Sequence, residues 1–347
     1  MDSRILRNQR YLTDLFAGPF RGHALIVDPE PIPAEWPGDY ACGSRPVPDW
    51  LPRTLAHYEA QLKVLEALDD DSVPTALMTT GTYLFAAAFG CPIHIYPDTP
   101  PAARPLVFSA QEADRLKLPD VFATPLERVF EFGALLESRL GKEVPISVPD
   151  IQSPFDIAAL IWNKEDLYVA LYTDPQAVER LVAKTQLLLS NFISALRQRF
   201  PQLSLCHCPH AWAPAAQGIW LSEDEAGAMS TPMFERFCLP SLRALSHTFG
   251  GLFLHCCATA DYQYPSLATL PNLRGLNRVF TEPSPARAIA TFAGRTVLVQ
   301  AWIEEDKINA MLDLAQSGSR FLFDLPSLPM EEVKPIYERL RRRCPRG

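Results

Sequence analysis

Apolar residues fall into two repeating patterns along the chain. Short apolar and β-branched runs occupy 75–80, 145–150, 203–208, 218–223, 252–257, 273–278, 296–302 and 320–325, with a further run at 23–28. Runs of this length, bounded by turn residues, read as buried strands. Between them the period lengthens to that of helices. Asp174 stands where a cap is expected and Pro175 at a first helical position. After them Val178, Leu181, Val182, Thr185, Leu188, Leu189, Phe192, Ile193 and Leu196 form one stripe. Residues 230–246 and 329–342 carry further helical patterns, with Glu331 and Glu332 in a first turn.

Strands alternating with helices predict parallel βα units. Their number matches an α/β TIM (β/α)8 barrel, whose chemistry sits at the C-terminal ends of the strands. Residues 29–52 break the pattern: Pro29, Pro31, Pro33, Pro37, Pro46, Pro48 and Pro52 interrupt any period, so an irregular N-terminal arm is expected. The expected organisation is a helix and proline-rich arm over 1–60, packed on a barrel over 61–347 as one structural domain.

Composition narrows the function classes. The chain has 347 residues, 48% hydrophobic and 21% charged, with a net charge of -8. The one basic cluster, Arg339 with Arg341, Arg342 and Arg343, suits the last turn of a helix, and no footprint for nucleic acid is expected. Neither a signal peptide nor an apolar run near the roughly 20 residues of a membrane span is found. A cytoplasmic protein is expected, its eight cysteines present as thiols. Without a GxxxxGK[ST] loop, a GxGxxG after a strand or a GxSxG elbow, nucleotide hydrolysis, a Rossmann cofactor and an α/β-hydrolase triad are disfavoured.

Candidate chemistry gathers at strand ends. In His255-Cys256-Cys257, strand alternation puts His255 and Cys257 on one face and Cys256 on the other. His255 and Cys257 thus offer an imidazole nitrogen and a sulfur to one point, as zinc requires. The plainer alternative is a hydrogen-bonded histidine beside small, packed cysteines. Cys206, His207 and Cys208 end another strand. Asp150, Glu223, Asp224, Glu304, Glu305 and Asp324 lie at matching positions, where burial can tune a carboxyl for acid or base work. Asp150, Glu223 and Asp324 are the catalytic candidates, and Asp324 stands out within an apolar strand. Asn277 and Arg278 are candidates for an anionic substrate group, and His207 and Trp302, also at strand ends, for further substrate contacts.

Three segments resemble one family. Residues 144–158, with Pro154, Phe155 and Ala158, are similar to the Pro-Phe-x-x-Ala segment of the uroporphyrinogen decarboxylase superfamily. Residues 230–240, with Ser230, Pro232, Phe234, Phe237 and Pro240, resemble its Ser-Pro-x-x-Phe-x-x-Phe helix. His255-Cys256-Cys257-Ala258 resembles its His-x-Cys-Gly segment, with Ala258 in place of glycine.

Order and spacing agree over roughly residues 60–345. The resemblance implies a TIM barrel, and either tetrapyrrole decarboxylation or cobalamin-linked methyl transfer. The decarboxylase branch has an N-terminal Met-Arg-Gln-Ala-Gly-Arg segment and paired catalytic aspartates, which this chain does not reproduce. In the methyltransferase branch, zinc held by His-x-Cys and a later cysteine activates a thiol. His255 and Cys257 match the first two ligands; residues 323–333 hold no cysteine, so Asp324, Cys208 or Glu223 would have to take the third place.

The leading expectation is a zinc/thiolate methyltransferase moving a methyl group between a thiol and a corrinoid presented by a partner protein. The alternatives are a metal-free decarboxylase or lyase using Asp150, Asp324 or Arg278, and a non-catalytic barrel that binds a tetrapyrrole or other small ligand.

Overall fold

The computed structural model describes residues 2–18, 22–29, 45–96, 101–205, 208–278 and 284–346. The strands, in chain order, are β1 Ala24–Val27, β2 Ile93–His94, β3 Ala102–Ala103, β4 Ile146–Ser147, β5 Leu203–Ser204, β6 Ile219–Ser222, β7 Leu252–Cys256, β8 Leu273–Arg278, β9 Val297–Gln300 and β10 Arg320–Leu325. Six of them form a parallel sheet in the order β1-β10-β9-β8-β7-β6. A second parallel pair joins β4 to β5, and isolated parallel bridges link Ala76 to Ile146 and Gln152 to Ser222. The curved surface therefore continues from β6 through the chain after β4 to the segment at Ala76, giving a TIM-barrel-type α/β fold. Every apolar run read as a strand carries a strand or a bridge. The run at 75–80 carries only the bridge at Ala76, and the small antiparallel pair β2–β3 lies outside the predicted runs. The proline-rich arm falls largely outside the described residues.

The β strands of the sheet are buried on both faces, which is why they read as nearly continuous apolar runs. On the inner face Phe253 stacks on Trp220 at 5.2 Å and meets Phe16 edge-on at 4.9 Å. Gly275 makes room for that ring, since a Cβ there would stand 2.7 Å from Phe253 Cδ1. Phe16 belongs to the helix Ser3–Ala17, which covers the end of the barrel where the strands begin. Arg320 donates to the Leu15 carbonyl at 2.7 Å, and Gln217 to the Thr13 carbonyl at 2.9 Å.

Outside the sheet, the helix Pro175–Arg199 buries the whole predicted stripe from Val178 to Leu196. Asp174 occupies its N-cap position, but the carboxylate accepts from Thr173 Oγ1 at 2.8 Å instead of capping the helix. No helix among the described residues is long and apolar enough to cross a membrane.

Between β1 and the next segment the ring is joined mainly by side chains. The amides of β1 face residues 70–72, where the Leu25 N–H donates to Asp71 Oδ2 at 2.8 Å and the Val27 N–H to Asp70 Oδ2 at 2.9 Å. Among the described residues, Asp71 N–H to Leu25 O, at 3.1 Å, is the one backbone hydrogen bond across this seam. Buried strand amides need partners, and here carboxylates provide them. Asp71 is fully buried and paired with Arg341 and Arg346, so the chain's C-terminal end is anchored to the same seam.

Replacing Asp71 removes the buried carboxylate shared by Arg341, Arg346 and the Leu25 amide. Asp71→Ala is expected to cost about 3–5 kcal/mol of stability, read from urea unfolding; a loss below about 1 kcal/mol would show that the seam is held by other contacts.

Candidate metal centre at the barrel mouth

Register across three strands builds the centre. Ser222, His255 and Asn277 are partners across β6, β7 and β8, so their side chains share the inner face that Phe253 also occupies. Asn277 donates from Nδ2 to the Val299 carbonyl at 2.8 Å. A carbonyl can only accept, which leaves Asn277 Oδ1 to accept from His255 Nδ1–H at 2.5 Å. The His255 proton is thereby assigned to Nδ1, and the Nε2 lone pair points to Cys257 Sγ, 2.7 Å away.

The third donor comes from the turn just after β6. Asp224 lies two residues beyond Ser222, on the same side, and its Oδ1 accepts from the Cys257 N–H at 2.7 Å. Asp224 is itself positioned by Asp156, in the first turn of the helix Pro154–Ile161. The Asp156 carboxylate accepts from the Asp224 N–H at 2.6 Å and the Glu225 N–H at 3.1 Å. Ser153 caps that helix by accepting from the Asp156 N–H at 3.0 Å.

The ligand atoms of Asp224, His255 and Cys257 lie within 4.8 Å of one another. Zinc binds oxygen, nitrogen and sulfur at about 2.0–2.3 Å, which places ligand atoms roughly 3–4 Å apart, so small side-chain adjustments bring the trio to one ion. Three protein donors beside an exposed Cys257 are also the pattern of a site with a position left open for substrate.

The electrostatics agree. Partial desolvation, followed by the Asp224 carboxylate, pushes the Cys257 thiol up to about 11. Burial, again followed by Asp224, raises Asp150 to about 6. A crowd of acids and a thiol is what a divalent cation neutralises.

Of the residues singled out from the sequence, His255 and Cys257 come together, and Asp150 and the half-buried Cys208 stand in the same mouth. Cys208 interacts electrostatically with Cys257, Asp150, Asp224 and Asp324. Asn277 stands behind His255 rather than facing a substrate. Asp324 is the register partner of Ile26 and lies farther round the mouth, near Asp28. Trp302 is exposed and donates from Nε1 to Asp28 Oδ2 at 2.8 Å.

Glu223 and Arg278 alternate to the helix-facing side, where both border one small cavity with Leu254, Cys256 and Leu267. Arg278 pairs with Asp261 at 2.7 Å and lies 5.3 Å from the Tyr264 ring centre. Glu223 is buried near Asp156 and Cys238, and burial raises its carboxyl to about 7. His207 lies outside the described residues. In the sequence Asp224 stands out only as an acid or base, and nothing marks Asp156 or Asp28. The two-residue step from Ser222 to Asp224 was the available signal for the first.

Fold and site together define a parallel α/β barrel with a trio of side chains that could hold a metal ion at the C-terminal ends of its strands. The uroporphyrinogen decarboxylase (URO-D) family model matches residues 55–277, a span that holds Asp224, His255, Cys257 and Asn277, and the chain belongs to that family. A solved structure of a methyltransferase from Methanosarcina mazei is similar in fold, with a TM-score of 0.64 at 14% identity over 96% of this chain and 98% of that one. No curated protein matches the chain.

Loss of a residue that orients a metal ligand costs about 10–100-fold in metal affinity. Asn277→Ala and Asp156→Ala are expected to fall in that range when affinity is measured by chelator competition on folded protein. Wild-type affinity in both would remove their assigned role.

Proposed function

We propose that the protein is a methyltransferase of the URO-D superfamily, in which Asp224, His255 and Cys257 hold a zinc ion and the methyl group passes between a thiol and a corrinoid presented by a partner protein. The observation that carries this reading is the Asp224–His255–Cys257 trio, with His255 held by Asn277 so that Nε2 faces the Cys257 sulfur. When bound, zinc stabilises a substrate thiolate at neutral pH.

The chain's own residues supply the rest. Asn277 keeps the imidazole proton on Nδ1, Asp156 anchors the turn that presents Asp224, and the Asp224 carboxylate holds the Cys257 backbone. The fold likeness to a methyltransferase supports the same reading. The decarboxylase or lyase alternative would use Asp150, Asp324 or Arg278, and of these Arg278 is paired with Asp261 on the helix-facing side. Under this reading the partners are a small thiol and a corrinoid protein, with neither nucleic acid nor membrane involved.

Elemental analysis of protein purified without a histidine tag tests the assignment. About one zinc per chain is expected, falling to background in Asp224→Ala, His255→Ala and Cys257→Ala. Zinc-free wild-type protein that also fails to take up added zinc would end it.

A further inference from the structure

Where β1 meets the next segment mainly through side chains, the seam leaves a crevice of about 410 Å3, a volume typical of small-molecule pockets. Ile26 and Val73 stand on its two sides, and Asp28, His57, Gln61 and His210 border it. Asp28 directly follows β1 and His57 belongs to the helix Leu51–Leu68. Both are half-buried and His210 is exposed, so this end of the crevice is open to solvent.

Two polar groups in it have their roles fixed by neighbours. Gln61 Oε1 accepts from the Thr75 N–H at 3.0 Å, and its Nε2 donates to the Thr75 carbonyl at 2.9 Å. That pairing settles which way the amide points, so the contact of Gln61 Nε2 with His57 Nδ1, at 2.9 Å, is a donation to the ring. His57 Nδ1 is an acceptor and the ring proton sits on Nε2. Burial, followed by His210 and Arg53, pushes the imidazole down to about 4, so His57 stays a neutral donor. From the β1 side, Asp28 Oδ2 accepts from the Trp302 indole at 2.8 Å. Among the described residues Trp302 is the one hydrogen-bond partner of this carboxyl, which leaves Oδ1 as its acceptor for the crevice.

The charges around the crevice are mixed. The Asp28 carboxylate repels an anion, and Arg53, which acts on both His57 and His210, repels a cation. Among the described residues the one grouping of side chains close enough for a metal ion is Asp224, His255 and Cys257. A ligand that satisfies the crevice therefore accepts from His57 and donates to Asp28 without carrying charge. A primary carboxamide does both, with its oxygen and its N–H groups on separate atoms. Two walls from separate elements suit it better than a hydroxyl, whose donor and acceptor are one atom.

We infer that Asp28 and His57 bind a primary carboxamide, His57 Nε2–H donating to its oxygen and Asp28 Oδ1 accepting from its N–H. Cys208, two residues before His210, interacts electrostatically with Cys257, which sets the crevice beside the trio. Amides of this kind ring the edge of a corrinoid, and a small substrate can carry one as well. The choice between these sources rests on the proposed function; the crevice itself does not.

Propionamide, propionate and propionamidine share one shape. The first both donates and accepts, the second only accepts, and the third, cationic at neutral pH, only donates. In saturation-transfer NMR on the full chain, the wild type is expected to bind propionamide and neither ion. His57→Phe and Asp28→Asn, each confirmed as folded by circular dichroism, are expected to weaken propionamide at least about tenfold. In Asp28→Asn the Trp302 indole keeps the oxygen and a donor replaces the acceptor, so propionate is expected to gain binding. Should His57→Phe fail to fold, Asp28→Asn carries the test.

Equal binding of the three probes, no binding of propionamide, or unchanged propionamide binding in the folded variants would overturn the assignment. Dicyanocobinamide that displaces propionamide supports the corrinoid edge as the source, and bound propionamide that it leaves in place supports an amide on the small substrate. Zinc-free wild type that binds propionamide would leave the crevice standing while the methyltransferase reading falls.

Discussion

The centre depends on one geometric constraint, the two-residue period of a strand carried across a parallel sheet in register. With β6, β7 and β8 aligned so that Ser222, His255 and Asn277 are neighbours, the inner face is decided for all three strands at once. Phe253 and Gly275 fill the barrel below, and His255 and Asn277 meet above them. Two residues past Ser222 and His255, beyond the strand ends, the same alternation brings Asp224 and Cys257 together. A shift of one residue would send Glu223 and Cys256 inward instead, exchanging the mouth for the residues that now pack against helices.

Most of the barrel was legible because parallel strands buried on both faces leave continuous apolar runs. Where the sheet is joined by something other than a ladder, the signal weakened. The run at 75–80 keeps only one bridge, and the side chains that meet β1 come from Asp70 and Asp71 just before it. His255 and Cys257 were legible because alternation is local to one strand. Which neighbouring acid completes the trio was not, because Glu223 and Asp224 are adjacent at a strand end and only the register with β7 tells them apart. Asp156 and Asp28 act through backbone amides and an indole brought near by the fold, and neither leaves a pattern along the chain. Arg278 has the composition of an anion site, yet its position on the outer face gives it to Asp261.

The resemblance to the methyltransferase branch implies a cysteine after the last strand, whereas this chain presents a carboxylate from the edge of β6. Under the proposed reading the donor set becomes one oxygen, one nitrogen and one sulfur. A carboxylate donates less electron density than a thiolate, so the same ion would be more electrophilic toward an incoming thiol.

The seam at residues 70–72 bears on how this barrel can change over time. A backbone ladder belongs to every residue alike and no single substitution deletes it. Here, however, the closure between β1 and the next segment rests on the side chains of Asp70 and Asp71, with Arg341 and Arg346 bracing one of them. Two adjacent codons therefore carry most of the polar contact between β1 and the next segment, so single base changes reach a junction that a backbone ladder would shield.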